Sequence, residues 1–309
     1  MSLISRPVRS TVAMLACATL TLTACGGGDD PLASDSGGGE EGGSVTVGSA
    51  NFPEAVLLGE MYAQALEAKD VEVQRNLNIG AREAYIKAIE DGSVDLLPEY
   101  TGNLLLFYEK SSSETDEQKV YDQLQDALPQ ELTALEMSEA VDEDAVVVTQ
   151  ETAKKYDLES IEDLAPVADQ LVVGGSPEFR ERQAGLRGLE DVYGLKFAEF
   201  KTLDVAGPLS IEALNSGEVD VTQLFTTQSA IASNDFVVLD DPKNISIPQN
   251  VVPLIRSDAL NDDIEQTLNA VSAELTTDEL AGLVKRLEID KDSPVNVAAD
   301  YLKEKGLDG

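Results

Sequence analysis

The chain has 309 residues, enough for one large domain or two of ordinary size, and carries 22 Lys and Arg against 58 Asp and Glu, a formal net charge of −36. It contains no His and no Trp, which excludes Ser-His-Asp and Cys-His catalysis, HExxH zinc sites and imidazole proton shuttles. So acidic a chain repels phosphate backbones and anionic headgroups, which excludes nucleic acid as an expected partner, while 42% hydrophobic residues suffice for a sizeable core.

Residues 1–24 hold no acidic residue: Arg6 and Arg9 precede an apolar run from Thr11 to Leu22. That run is too short to span a bilayer but suits a signal-peptide core. It ends in Leu22-Thr23-Ala24-Cys25, which resembles a bacterial lipobox, so Cys25 is the expected lipidation site and first residue after cleavage. Cys17 leaves with the signal, so no disulfide is expected. Two acyl chains anchor stably where one does not. From Cys25 through Gly43 the sequence is Gly-rich and acidic with little to bury, a flexible tether with a reach of roughly 20–25 Å. The expected location is extracytoplasmic, held to the outer face of a bacterial cell membrane.

From Ser44 the pattern becomes regular. Ser44 to Gly48 alternates as a short strand, and Glu54 to Ala68 carries Val56, Leu57, Met61 and Ala65 at helical spacing. Val71 to Val73 predicts a second strand, Ala81 to Glu90 a helix, Val94 to Leu97 a strand and Asn103 to Glu109 a further helical segment. Strands alternating with helices predict an α/β fold with largely parallel sheets.

An internal repeat divides this pattern. Residues 88–101 (AIEDGSVDLLPEYT) match residues 213–226 (ALNSGEVDVTQLFT), aligning Gly92 with Gly217, Asp95 with Asp220, Tyr100 with Phe225 and Thr101 with Thr226. Upstream, Val45-Thr46-Val47-Gly48 resembles Leu171-Val172-Val173-Gly174, one residue out of step. Each unit reads as helix, Gly stop, strand, then an aromatic and a Thr. In open α/β sheets ligands bind beyond the carboxyl ends of the strands, where Tyr100, Thr101, Phe225 and Thr226 fall. Two such lobes form a cleft that can close about a hinge, with Tyr100 and Phe225 facing across it.

Four blocks carry a resemblance to a known family. Gly48-Ser49-Ala50-Asn51-Phe52-Pro53-Glu54, Pro98-Glu99-Tyr100-Thr101-Gly102, Pro177-Glu178-Phe179 with Arg182, and Gly188-Leu189 with Val192-Tyr193-Gly194-Leu195 resemble the substrate-binding proteins of osmoprotectant (glycine betaine, carnitine, choline) ABC importers. The resemblance implies a two-lobed type II periplasmic-binding-protein fold with two crossover strands. Lobe one would be 44–144 plus 255–309, and lobe two 145–254. It further implies a quaternary ammonium held by aromatic faces, which compete with water for a weakly hydrated cation, and a carboxylate held by charge-assisted donors.

Carried over residue by residue, Tyr100 falls on a cage tyrosine, Arg182 on the carboxylate-binding arginine with Arg180 close by, and Asn103 where a Thr contacts the carboxylate. Ala50 stands where a lysine usually contributes, while Asp144, Ile211 and Phe225 fall on other cage tyrosines. A carboxylate in place of a ring suits a ligand with a cationic or hydrogen-donating end, so choline or a larger amine is an alternative to glycine betaine. Asn51 is either a cleft residue or the N-cap of the helix near Pro53; Arg82 and Tyr85 are weaker cleft candidates. The expected ligand-binding set is therefore Asn51, Tyr100, Thr101, Asn103, Asp144, Arg182, Phe225 and Thr226, with no catalytic residue, cofactor or metal site. The expected partners are a small solute and the permease and ATPase subunits of an ABC importer, since the chain has no Walker A motif. A binding protein of this fold for another polar metabolite, an extracellular sensor and a carboxylate-based exported hydrolase are the competing classes.

Overall fold

A computed structural model describes residues 44–309; the expected signal segment, Cys25 and the tether lie outside them. The described chain is α/β and two-lobed, each lobe built on a five-stranded sheet. The strands are β1 (Val45–Ala50), β2 (Val73–Gly80), β3 (Leu96–Tyr100), β4 (Leu132–Ala134), β5 (Asp144–Val148), β6 (Val172–Gly175), β7 (Glu199–Thr202), β8 (Val221–Phe225), β9 (Val237–Val238) and β10 (Val251–Arg256). The first sheet runs β2-β1-β3-β10-β4 and the second β7-β6-β8-β5-β9.

The repeat seen in sequence is repeated in space. In the first sheet β1 pairs in parallel with β2 and β3, and β3 pairs antiparallel with β10. In the second, β6 pairs in parallel with β7 and β8, and β8 pairs antiparallel with β5. The aligned aspartates make the same contact in both sheets: Asp95 Oδ2 accepts from the Thr46 amide and Asp220 Oδ2 from the Val172 amide, each at 2.8 Å. The aligned glycines, Gly92 and Gly217, both hold positive φ (79° and 72°) where the preceding helix stops, a conformation that favours glycine.

The longest helix, α1 (Pro53–Glu67), starts with Pro at its first position and runs beneath the first sheet. Leu57, Leu58, Met61, Tyr62 and Leu66 are fully buried against β1 and the C-terminal helices Asp262–Glu274 and Pro294–Lys305. Each such side chain contributes about 1.5–3 kcal/mol. Its N-cap is Phe52, not Asn51, and no side chain caps it.

The second strand was expected at Val71–Val73 but β2 occupies Val73–Gly80. It is an edge strand exposed along much of its length, so its polar residues show no clean alternation; only parallel pairing to β1 defines it.

Two segments cross between the sheets, 135–143 leading to β5 and 239–250 leading to β10. They bond to each other: Val251 N donates to Ala140 O (2.9 Å) and Asp142 N to Gln249 O (3.2 Å). Chain return into the first sheet is complete at Val251, which pairs with Tyr100, ahead of the boundary expected at 254/255. Helix α3 (Thr101–Tyr108) begins directly over this return segment. A Cβ on Gly102 would stand 2.5 Å from Pro248 O and 2.7 Å from Ile247 Cγ1. Gly102→Ala is therefore expected to lower stability by about 1–3 kcal/mol through overpacking at the hinge, read as a lower urea midpoint with an unchanged m-value.

Candidate ligand-binding site

The carboxyl ends of β1, β3 and β8 and the start of β5 converge on a cleft between the lobes. It is lined by Ala50, Asn51, Phe52, Ala81, Arg82, Tyr85, Tyr100, Asn103, Asp142, Asp144, Arg182, Val205 and Phe225. Its free volume is about 40 Å³, space for roughly three waters.

At one pole three rings adjoin. Phe52 packs 5.0 Å from Phe225 and 6.1 Å from Tyr100, centroid to centroid. The expected direct facing of Tyr100 and Phe225 is thus corrected: Phe52 stands between them, because helix α1 begins immediately after it and fixes it at the cleft floor. The Tyr100 ring is buried and its hydroxyl donates to Glu54 Oε1 at 2.6 Å. Burial, and then the Glu54 and Asp142 charges, push the Tyr100 phenol well above its ordinary value, so it remains a donor.

The other pole is charged and rigid. Arg82, at the first position of α2 (Arg82–Glu90), makes a forked pair with fully buried Glu99 at 2.8 and 2.9 Å. Burial alone would lower the Arg82 guanidinium, but the charge and hydrogen bond of Glu99 together with Tyr85 and Asp144 outweigh it and the net shift is upward. The Arg82 guanidinium also lies 5.9 Å from the Tyr85 ring centroid. Arg182, from the second lobe, reaches Glu83 of the first at 3.2 Å. Asp144 accepts from Asn103 Nδ2 at 2.7 Å and from Gln223 Nε2. Burial raises its carboxyl above the usual range, opposed by the Asn103 bond and by Arg182 and Arg82.

Asn51, Tyr100, Asn103, Asp144, Arg182 and Phe225 are thus brought together, and Thr101 and Thr226 are not. The Thr101 hydroxyl donates to Pro248 O (3.1 Å) and accepts from Asn250 N (3.1 Å), tying α3 to the hinge. Thr226 Oγ1 accepts from Glu143 N (2.9 Å) and donates to Asp142 (3.3 Å). Both follow the last residue of a strand, where the chain turns away from the cleft: Thr101 opens α3 and Thr226 lies past the end of β8. Arg180 is separated from Arg182 by its stacking over Phe200, 4.1 Å from the ring centroid. Ile211 packs into the second lobe's core. Sequence reasoning missed Phe52 and Asp142 and ranked Arg82 and Tyr85 low. Phe52 stood within the quoted Gly48–Glu54 block, and its position ahead of a Pro-started helix was the available signal.

Comparison with known proteins bears on this cleft. Residues 43–304 match the OpuAC family, described as the substrate binding domain of ABC-type glycine betaine transport systems. The chain is 28% identical to the glycine betaine-binding protein YehZ of Escherichia coli K12, covering 85% of this chain and 90% of that protein. It is 26% identical to the glycine-betaine-binding protein of Pseudomonas aeruginosa PAO1, covering 85% and 88%. The crystal structure of a glycine betaine/carnitine/choline ABC transporter protein superposes with a TM-score of 0.67 at 23% identity, covering 86% of this chain and 100% of that one, a likeness of fold.

The buried charge pair gives a stability test. Glu99→Ala strands the Arg82 guanidinium and is expected to cost about 3–5 kcal/mol. Asp191→Ala, which breaks the exposed pair with Arg187, is expected to cost under ~0.5 kcal/mol; chemical denaturation of the two variants side by side checks both.

Proposed function

We infer that this chain, which belongs to the family of substrate-binding domains of ABC-type glycine betaine transport systems, captures a betaine-class zwitterion between its lobes and presents it to a membrane permease. The observation that carries this is the pairing of two unlike poles in one small cleft: rings of Phe52, Tyr100 and Phe225 beside Asp142, and the guanidiniums of Arg82 and Arg182 beside Asn103. A methylated ammonium cannot donate hydrogen bonds and is weakly held by water, so ring faces and one carboxylate compete for it effectively. A carboxylate at the other end of the solute finds charge-assisted donors from Arg182 and the free edge of Arg82. Fully engaged by two amides, Asp144 orients Asn103 rather than replacing a cage ring; Phe52 supplies the ring that Asp144 lacks.

The family is one of substrate-binding domains of ABC-type transport systems, which supports capture of a solute over its chemical conversion. No helix among the described residues is long and apolar enough to cross a membrane. As a substrate-binding domain of an ABC-type system the chain would work with a permease and an ATPase, and the lipobox-like ending at Cys25 supports an acyl anchor on the outer face of the cell membrane. The first lobe is taken as 44–144 plus the return from Val251, and the second as the residues between.

Isothermal titration against glycine betaine and choline tests the reading. Phe52→Ala is expected to weaken both solutes about 10–100-fold, since both present a trimethylammonium. Arg182→Ala is expected to weaken glycine betaine by about 10–100-fold and choline, which has no carboxylate, by less than ~3-fold. Equal losses for the two solutes in Arg182→Ala, or no heat with either in wild type, would refute the two-pole assignment.

A further inference from the structure

Beneath the aromatic pole lies a buried group of which solute recognition uses only the negative charge at Asp142. Glu54 in the first turn of α1, Asp142 on the outgoing crossing segment, and Thr227 just past β8 are all buried, at 4%, 5% and 5% exposure. They come from the first lobe, the hinge and the second lobe. Thr227 Oγ1 lies 2.7 Å from Glu54 Oε2 and 3.0 Å from Asp142 Oδ1. The Thr227 amide donates to the same Asp142 oxygen at 3.0 Å, and the Tyr100 hydroxyl donates to Glu54 Oε1 at 2.6 Å.

Donor counting makes this arrangement informative. A threonine hydroxyl has one proton to give, yet Oγ1 sits within hydrogen-bond distance of two carboxyl groups. If both were ionised, Tyr100 would serve Glu54, and Thr226 Oγ1 and the Thr227 amide would serve Asp142, but the one Thr227 proton could reach only one of two like charges buried side by side. No Lys or Arg among the described residues bonds to either one. The surrounding charges make matters worse: Glu288, whose carboxylate accepts from Ser229 N and Gln228 Nε2, faces Glu54 from the C-terminal end of helix Thr277–Glu288. Asp144 faces Asp142 from β5, while Arg82 and Arg182 attend Asp144. Tyr100 is neutral. If instead one carboxyl keeps its proton, it donates to Thr227 Oγ1 and Thr227 donates to the other carboxylate, so both contacts of the hydroxyl are matched.

We propose that Glu54 and Asp142 hold one proton between them while the lobes are joined through Thr227, so that the closure which captures a solute also takes up a proton from solution. The proposal rests on the solute-capture reading for its link to binding, while the shared proton stands on the geometry alone. When the lobes part, Thr227 leaves and water reaches both acids, which return to ordinary carboxylate values near ~4. In the joined state Glu54 is raised by burial, and Asp142 is raised well above its usual value by burial and then by Glu54. The joined state thus binds more protons; its advantage is full below the ordinary values and is lost as pH rises through the raised one. With one proton bound, the pair keeps a single negative charge beside the rings, a counter-charge for the solute's cation.

Two measurements on the purified protein test this separately from the solute reading. Infrared difference spectra of wild type against Glu54→Gln, without solute at neutral pH, should show the C=O stretch of a protonated carboxylic acid in wild type alone; Asp142→Asn serves as the second variant should Glu54→Gln not fold. Calorimetry with glycine betaine at neutral pH, in two buffers of different ionisation enthalpy, should show proton uptake by the molecules whose lobes are apart before binding, short of one proton per solute by the fraction that already carries the infrared band. Affinity should fall by up to about tenfold per pH unit above the pair's titration, and Glu54→Gln should abolish both effects. An absent carboxylic acid band in wild type, or equal proton uptake by Glu54→Gln and wild type, overturns the proposal. A band present without any glycine betaine heat supports the shared proton and counts against the choice of solute.

Discussion

The hydrogen bonds between the two crossing segments are the constraint on which the rest depends. Ala140 and Val251, and Asp142 and Gln249, are joined across them, and Thr101 clasps Asn250 by both backbone and hydroxyl. With the segments bound side by side, the two sheets meet at one place, and the ends of β1, β3 and β8 reach a common cleft. Residues separate in sequence, such as Phe52 and Phe225, become neighbours because of that single junction. A two-segment hinge also restricts motion to bending, so closure returns each cleft residue to the same partner. The interlobe contacts Arg182–Glu83 and Thr227–Glu54 are then made or broken together.

The charge of this chain takes on a definite meaning at the cleft. Cations are few in a molecule carrying −36 overall, and Arg82 is committed to a buried carboxylate. That pair contributes little net stability, because desolvating both ions offsets their attraction; its value is a guanidinium fixed in direction beside Tyr85. Asp144 is held in the same manner by two amides. Most of the remaining carboxylates lie in solvent, where their mutual repulsion speaks to solubility and not to fold. The acids at the lobe junction differ from these because they are buried without a cation, which makes protonation the remaining way to satisfy them.

Much of the architecture was legible from the sequence, and the reason is local. Gly92 and Gly217 stop helices, Asp95 and Asp220 each accept an amide from the neighbouring strand, and Tyr100 and Phe225 end β3 and β8. These are requirements of one helix–strand unit, so each copy must carry them and an alignment of the chain with itself exposes them. Strand β2 was placed only at its first residue because an edge strand needs no apolar alternation. Thr101 and Thr226 aligned with each other and still left the cleft, since the repeat conserves the unit and not the direction of a side chain toward a ligand.

By itself, then, the sequence determined the α/β class, the division into two similar lobes and six of the eight cleft residues anticipated. The class, the lobes and the strand-end rings depend on short-range periodicity and on residue types that a strand end or helix start demands, whereas Asn103, Asp144 and Arg182 came from the resemblance to the family's motifs. Only the tertiary structure decided that Phe52 completes the ring pole, that Asp144 is spent on Asn103 and Gln223, and that Glu54, Asp142 and Thr227 form one buried group. Each of those outcomes requires distances between elements brought together by the hinge, up to 173 positions apart in the case of Glu54 and Thr227. No local pattern encodes such a distance, because it is set by how two lobes pack and not by the bonding needs of either.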